Sequence, residues 1–190
     1  ALAEEAHVRS FALQLWLEAH PESAGQPDYN GDLPLHLALH AQAAEHEVAM
    51  LLQAYPTGAA VPDRMRNLPL HLALYRRASD SVVEALIRRF PDAAKYGNST
   101  DNTPLHLALY NRSTERALKA VFRACPDACA TANMDGDLPL HLAIAKRTAD
   151  SPLLAMLAAW PEAALTPDHA GILPLHASLK HRASETAVLA

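Results

Sequence analysis

The apolar positions of this chain recur with a fixed step of 35 residues. One apolar motif reads LPLHLAL, LPLHLAL, TPLHLAL, LPLHLAI and LPLHASL in successive copies. Its prolines are Pro34, Pro69, Pro104, Pro139 and Pro174, and a second proline series with the same step comprises Pro21, Pro56, Pro91, Pro126 and Pro161. Self-similarity with a period of roughly 20–50 residues is typical of solenoids, propellers and other repeat arrays.

The repeat over residues 63–97 predicts two helices joined by a turn. Pro69 is expected to open a short helix over 70–74, because proline lacks the amide hydrogen that the first helical position does not use. A turn at 77–79 follows. Ser81 and Glu84 have the spacing of a capping box, which predicts the start of a second helix at that point.

The second helix is predicted to end at a proline. Phe90 precedes Pro91, and a residue before proline is disfavoured in the α conformation. The apolar side of this helix comprises Val82, Val83, Leu86 and Ile87. In a later repeat Ser151 followed by Pro152 predicts the same kind of helix start. The polar stretch 94–103 is predicted as an extended turn, and stacking on neighbours is needed to bury each repeat.

The repeated order of helix, turn, helix and loop, which we call the repeat frame, predicts a single all-α solenoid over residues 1–190. The complete repeats are 28–62, 63–97, 98–132 and 133–167, and the partial repeats are 1–27 and 168–190. Residues 1–3 align in phase with residues 36–38. We therefore expect the chain to begin inside a first helix and to be a section of a longer array.

Composition narrows the class of protein without identifying it. The chain is 50% hydrophobic and 19% charged, which argues against disorder. It has 16 basic and 21 acidic residues, a net charge of −5, so overall charge does not favour nucleic acid or an anionic membrane. No apolar run is long enough to predict a membrane span. Two cysteines cannot build a disulfide framework.

The recurring residues resemble the ankyrin repeat family. PLHLA stands where that family has T-P-L-H-x-A, the segment 28–32 (DYNGD) is similar to its hairpin tip, and 82–87 to its V-V-x-x-L-L helix. The period is 35 rather than about 33, and Arg66 and Asp101 replace the tip glycine. The resemblance implies an ankyrin-repeat solenoid with hairpin-like loops, acting as a non-catalytic scaffold for protein–protein interaction.

The motif histidines are the first candidate for chemistry. They are His36, His71, His106, His141 and His176. Stacked helices lie about 8–10 Å apart, whereas zinc bonds its ligands at about 2.0–2.3 Å, so neighbouring repeats cannot share an ion. The pairs His36–His40 and His176–His181 have no evident third ligand. We predict no metal and no cofactor, and buried imidazoles that bond loop backbone, as in the family that the chain resembles.

Repeat position also predicts the roles of the cysteines and of one tryptophan. Cys125 and Cys129 occupy positions that are apolar or small in other repeats, so we interpret both as small core residues. Trp16 is predicted to lie in the core for the same reason. It shares its repeat position with Leu51, Leu86, Val121 and Met156.

Charged residues follow the repeat as well. The arginines Arg77, Arg112, Arg147 and Arg182 are each followed three residues later by Asp80, Glu115, Asp150 or Glu185, and we call this series the charge ladder. An arginine that ends one helix and a carboxylate that opens the next suit both helix dipoles and neutralise each other. Nucleic-acid binding is therefore not expected. A basic cluster leaves contact with an anionic partner open: Arg64, Arg66, Arg76, Arg88 and Arg89.

No catalytic motif is present, so the chain is not predicted to be an enzyme. The best candidates for function are the residues that differ between repeats. At the loop tips these are Tyr29, Asn30, Arg64, Met65, Thr100 and Met134; at the ends of first helices they are His40, Tyr75, Arg76, Tyr110, Asn111 and Lys146. In ankyrin repeats the matching positions line a concave groove that contacts a protein partner.

Two interpretations of these variable positions remain open. They form a binding surface centred on Tyr75, Arg76 and Tyr110, or they are solvated positions under no constraint. A different functional hypothesis is that the array regulates an enzyme or channel whose active domain lies outside the chain. We expect a monomer located in the cytoplasm or nucleus.

Overall fold

The computed structural model describes residues 2–179, with side chains from residue 10 onward. In that range every regular element is a helix, and the elements form a repeated helix–loop pattern. Helix α1 spans Leu2–Ala19. The short first helices are α2 Pro34–His40, α4 Pro69–Tyr75, α6 Pro104–Tyr110, α8 Pro139–Ala145 and α10 over 174–179. The longer second helices are α3 Glu45–Ala54, α5 Asp80–Arg89, α7 Glu115–Ala124 and α9 Asp150–Ala159.

The first helices begin and end as local chemistry requires. Helices α2, α4, α6 and α8 each start with a proline at the first helical position, as predicted. Helix α2 ends in a Schellman motif, in which the Ala43 amide donates to the Ala38 carbonyl at 2.9 Å and Gln42 has a φ of +53°. Glycine is the usual residue at such a left-handed position. The equivalent residues of the next three repeats are Arg77, Arg112 and Arg147, with φ of +51° to +56°.

The second helices α5 and α9 begin two residues earlier than predicted. The Ser79 side chain caps α5 by accepting from the Val82 amide at 3.4 Å, so the prediction that Ser81 caps this helix was wrong. Thr114 caps α7 in the same way. Helix α9 starts at Asp150 after Ala149, which provides no side-chain cap, so Ser151 is inside the helix rather than at its cap. Ser81 cannot cap this helix, because a capping residue has extended backbone and lies just outside the helix, whereas Ser81 lies inside it.

The second proline series does more than end helices. Helix α5 ends at Arg89 with Phe90 as its C-cap, which confirms the predicted stop. The following proline then opens a five-residue 3-10 helix, which was not predicted from the sequence. This element recurs as Pro21–Gly25, Pro56–Ala60, Pro91–Lys95, Pro126–Ala130 and Pro161–Leu165. The polar stretch after Phe90 is thus partly helical.

The chain divides into two compact units, Ala1–Pro91 and Asp92–Ala190. Each unit has a core formed by its first and second helices. In the first unit Leu70 and Leu86 are each 1% exposed. In the second unit Leu105 is fully buried and Val121 is 1% exposed. These are the apolar positions that the repeat frame predicts.

The beginning of the chain departs from the frame. Helix α1 runs without interruption through the positions where the aligned repeats have a turn, since Leu2–Ala19 is rich in alanine, leucine and glutamate, which favour helix. Trp16 was predicted to lie in the core, but it is 60% exposed. Its indole nitrogen donates to Ser23 Oγ at 3.2 Å. The prediction was wrong because burial at this repeat position requires a helix on both sides, and none of the described residues covers the outer side of α1.

Candidate functional site

The motif histidines join loops, as predicted. His36 accepts the Leu33 amide at Nδ1 (3.0 Å), so the neutral ring carries its proton on Nε2, which faces the Val61 carbonyl at 2.9 Å. His106 makes the same pair of contacts with Thr103 and Asp137. Burial lowers the pKa of His106 to about 4 despite the opposing effect of the Asp137 hydrogen bond. Because both ring nitrogens are hydrogen-bonded to backbone groups, the ring links two segments of the chain and has no nitrogen available for a metal ion.

The last motif histidine differs from the others. His176 accepts the Leu173 amide at Nδ1 (3.2 Å), but the residue is exposed, so the prediction of burial was wrong for this copy. Four motif histidines are buried: His36, His71, His106 and His141. His181 lies outside the described residues, as do Arg182 and Glu185. Across the part of the chain that the structure describes, no three histidine, cysteine or acidic side chains are grouped as metal ligands would be.

Each loop tip closes on the side chain of its first residue. Asp28 Oδ1 accepts the amides of Asn30 and Asp32 at 2.8 and 2.9 Å. The same pattern recurs at Asp63, Asn98, Asn133 and Asp168. Arg66 and Asp101 take the left-handed φ (+57° and +55°) that Gly31, Gly136 and Gly171 have elsewhere. The absence of glycine therefore leaves the turn geometry unchanged at those two loops.

The tip side chains that vary between repeats are largely exposed. Tyr29 is 90% exposed, and Met65 and Met134 are 57% and 59% exposed. Arg64 donates to the Tyr29 carbonyl at 2.7 Å, which links two successive tips of the first unit. Asn30 is half-buried and Thr100 is exposed.

In the first unit the ends of α2 and α4 lie together. Arg76 Nη2 is 3.3 Å from His40 Nδ1, and the guanidinium lies 5.5 Å from the centre of the Tyr75 ring. The Arg76 Nε atom is buried and has no hydrogen-bond partner among the described residues. Tyr75 itself is 54% exposed. The arginine thus lies below a solvent-facing phenol.

In the second unit the ends of α6 and α8 form an equivalent pair. Lys146 Nζ lies 4.1 Å from the centre of the Tyr110 ring, a cation–π distance. Tyr110 is 56% exposed. Asn111 is less available for binding because its side-chain amide donates to the Leu107 carbonyl of its own helix at 3.1 Å.

Several arginines of the basic cluster make contacts within the chain, and one of these contacts is with a carboxylate. Arg88 lies 3.9 Å from Glu84, and Arg64 and Arg76 have the contacts given above. In the charge ladder, Glu115 pairs with Lys119 at 2.6 Å and Arg112 donates to the Lys146 carbonyl at 3.3 Å. These contacts differ from the predicted arginine–carboxylate pairing three residues apart.

Both cysteines are buried free thiols, which confirms the core assignment. Burial raises the pKa of Cys129 to about 12, and the neighbouring Cys125 and Asp127 act in the same direction. A thiol with such a pKa stays protonated at neutral pH and is a poor nucleophile.

Each unit has a cavity beside the turns between its first and second helices, which was not predicted from the sequence. In the second unit it measures about 440 Å³, and in the first about 250 Å³. The recurring arginine of the charge ladder was the available signal, because Arg77, Arg112 and Arg147 all line these cavities.

Comparison with protein-family models and with curated proteins found no match to this chain. None of the described helices has the length and apolar character needed to cross a membrane.

Proposed function

We propose that this chain is a non-catalytic protein-interaction scaffold built from ankyrin-type repeats. One observation carries the proposal: the PLHLA residues are buried in repeats 63–97, 98–132 and 133–167, while the positions that vary hold exposed aromatic and methionine side chains. These exposed residues are Tyr29, Met65, Tyr75, Tyr110 and Met134, each 54–90% exposed. Tyrosine, methionine and arginine are enriched in protein–protein interfaces relative to other surface.

The ankyrin-type assignment is supported by the order of elements within each repeat. A proline-started first helix, a left-handed turn, a longer second helix and a loop closed by its first residue recur with the PLHLA motif. In ankyrin repeats the loop tips and first helices form the partner surface. The candidate residues of this chain lie on those elements in each unit.

Binding would work by presentation of preformed anchors. The cation–π contact of Lys146 with Tyr110 and the position of Arg76 beside Tyr75 hold the two phenols without blocking their exposed faces. A surface whose side chains are already ordered loses little conformational entropy when it binds. Exposed tyrosines with a neighbouring cation are typical of interface hot spots.

The test is a comparison of variants rather than capture of a protein alone. Partners retained by the intact chain from cell extract are identified by mass spectrometry and then titrated against Tyr75→Ala combined with Tyr110→Ala. Loss of two hot-spot tyrosines should weaken binding by about 100-fold or more. The matched control is Tyr96→Ala, because Tyr96 is similarly exposed (52%) but lies outside the tips and first helices.

Each outcome decides the proposal. A partner that binds wild type and Tyr96→Ala equally but loses affinity for the double variant supports it. A partner unaffected by the double variant places the binding surface elsewhere. Circular dichroism of all three proteins shows whether the variants are folded.

A further inference from the structure

The second unit contains a cavity on the side of the turns that follow α6 and α8. We name it the turn pocket and define it by an apolar floor of Leu109, Leu118 and Pro152 and a basic rim of Arg112, Lys146 and Arg147. Its volume of about 440 Å³ lies in the range of small-ligand and side-chain pockets, roughly 300–1,000 Å³. A largely apolar cavity with a few polar groups at its edge is the usual form of a binding site.

The rim of the turn pocket is net positive. Glu115 is the one acidic residue that lines it, against three basic residues. The Glu115 carboxylate is already paired with Lys119 at 2.6 Å, and Lys119 does not line the pocket. The field at the mouth of the pocket therefore favours an anionic group.

The hydrogen bond that Arg112 makes within the fold does not require its charge. Arg112 Nη2 donates to the Lys146 carbonyl at 3.3 Å and so links two successive turns. In the first unit Gln42 occupies the same repeat position and donates to the Arg76 carbonyl at 2.9 Å. A neutral amide makes the structural bond as well, so the guanidinium at position 112 carries a charge that this bond does not use.

The equivalent cavity of the first unit provides an internal comparison. It is lined in the same register but is smaller, about 250 Å³, and has Gln42 where the turn pocket has Arg112. Its basic lining is limited to Arg76 and Arg77, and Arg76 also contacts His40. The turn pocket is thus the larger and the more positively charged of the two.

We propose that the turn pocket binds an acidic peptide segment of a partner protein. A glutamate or aspartate of that segment pairs with Arg112 and Arg147, and a neighbouring aliphatic side chain lies on Leu109 and Leu118. Arginine binds carboxylates through two parallel hydrogen bonds, which fixes their orientation. The apolar floor favours a peptide over a nucleic acid, whose phosphates would leave that floor empty. The turn pocket shares Lys146 with the first-helix ends, but the residues proposed to bind the peptide, Arg112, Arg147, Leu109 and Leu118, are not among the candidate residues there. The inference therefore does not depend on the proposed function.

The experiment uses the full chain and a random heptapeptide library displayed on phage. Selection against wild type should enrich peptides in which aspartate or glutamate lies next to leucine, isoleucine or valine. An enriched peptide is then synthesised and titrated by isothermal calorimetry, together with a copy whose acidic residues are replaced by their amides. We expect the amide copy to bind at least about tenfold more weakly.

Variants of the chain locate the binding to the turn pocket. Arg112→Gln combined with Arg147→Gln should weaken the enriched peptide by at least about tenfold, and wild-type binding should weaken as salt is raised. Arg112→Gln alone introduces the residue that the first unit has at this position, so it should retain the hydrogen bond to the Lys146 carbonyl. This single variant replaces the double variant in the titration if the double variant is unstable. The matched control is Lys95→Gln combined with Arg123→Gln, which removes two exposed charges of the same unit outside the pocket.

Three results would overturn the inference. The library yields no acidic–aliphatic sequence; or the enriched peptide binds the pocket variants as tightly as wild type; or the control variant loses as much affinity as the pocket variants. A single-stranded oligonucleotide that displaces the peptide from the pocket with higher affinity would replace the peptide with a nucleic acid as the ligand.

Discussion

The Nε2 atom of His106 donates a hydrogen bond to the carbonyl of Asp137, 31 residues further along the chain, at 3.0 Å. The Nδ1 atom of the same ring accepts the Thr103 amide at 3.2 Å. The bond from Thr103 requires the neutral imidazole, since a protonated Nδ1 has no lone pair to accept with, whereas Nε2 carries its hydrogen in both forms. The contact with Thr103 therefore depends on the protonation state of one buried ring.

This dependence predicts a loss of stability in mild acid. The pKa of His106 is about 4 in the folded chain against 6.5 in the unfolded chain, so between those values the unfolded state binds more protons. The free energy of unfolding should fall as pH drops from about 6.5 to about 4, by about 3 kcal/mol from this residue. The free energy of unfolding of His106→Gln, measured by urea denaturation, should be lower than that of wild type at neutral pH. It should also change less between pH 6.5 and pH 4.

The exposed copy of the motif provides the control for that measurement. His176→Gln should leave the slope of stability against pH unchanged, because His176 is exposed. Equal slopes for wild type and His106→Gln would contradict the assignment of the acid sensitivity to His106.

Leu105 and Leu175 occupy the same position of the repeat in different surroundings. Leu105 is fully buried, whereas Leu175 is 63% exposed. Leu105→Ala should lower the free energy of unfolding by about 2–5 kcal/mol through the cavity it leaves, and Leu175→Ala by less than about 0.5 kcal/mol. Thermal and urea unfolding of the pair measure the difference, and similar losses would show that the motif itself, rather than burial, determines the effect.

The start of α5 offers two serines with opposite expectations. Ser79→Ala removes the side-chain acceptor for the Val82 amide and should cost about 1 kcal/mol of stability. Ser81→Ala should change stability by less than about 0.5 kcal/mol, since Ser81 lies inside the helix, where alanine is favoured. If Ser81→Ala lost more stability than Ser79→Ala, the result would support the capping box predicted from the sequence.

Substitution of two loop-tip glycines by alanine distinguishes the cost of backbone strain from the cost of steric crowding. Gly31 and Gly136 both have a left-handed φ, of +83° and +78°. A Cβ at position 31 would meet nothing within 4 Å, so Gly31→Ala should cost only about 1 kcal/mol of strain. A Cβ at position 136 would lie 2.6 Å from the His169 amide nitrogen, so Gly136→Ala should cost about 1–3 kcal/mol more. Equal melting temperatures for the two variants would show that the loop of His169 moves freely away.

The sequence predicted the starts of the first helices and the ends of the second helices, because local chemistry determines these limits. Pro69 starts α4 and Pro91 follows the end of α5 for reasons contained in neighbouring residues. Burial at the ends of the frame was predicted poorly, as Trp16 and His176 show. A repeat position is buried only when elements pack on both sides of it, and that condition depends on a residue's place in the array.

The residues of the candidate surface could be predicted from the sequence, but the contacts between them could not. Variation between repeats singled out Tyr110 and Lys146, but not their cation–π contact, which requires the two helix ends to be adjacent in space. The turn pocket was not predicted because a cavity is a property of the space between two turns. Arg112 was interpreted as one half of a neutral pair, since its contact with the Lys146 carbonyl cannot be read from spacing.

The way each loop closes has a consequence for how the chain could be altered. Asp28 and Asp63 close their loops without a side chain from the two residues that follow. At Asn98, by contrast, the Thr100 hydroxyl also bonds the side chain of the first residue. The dipeptides Tyr29-Asn30 and Arg64-Met65 are thus interchangeable parts on a constant frame. A combinatorial library confined to these pairs could therefore be displayed on this chain, and new specificities selected without redesigning the scaffold.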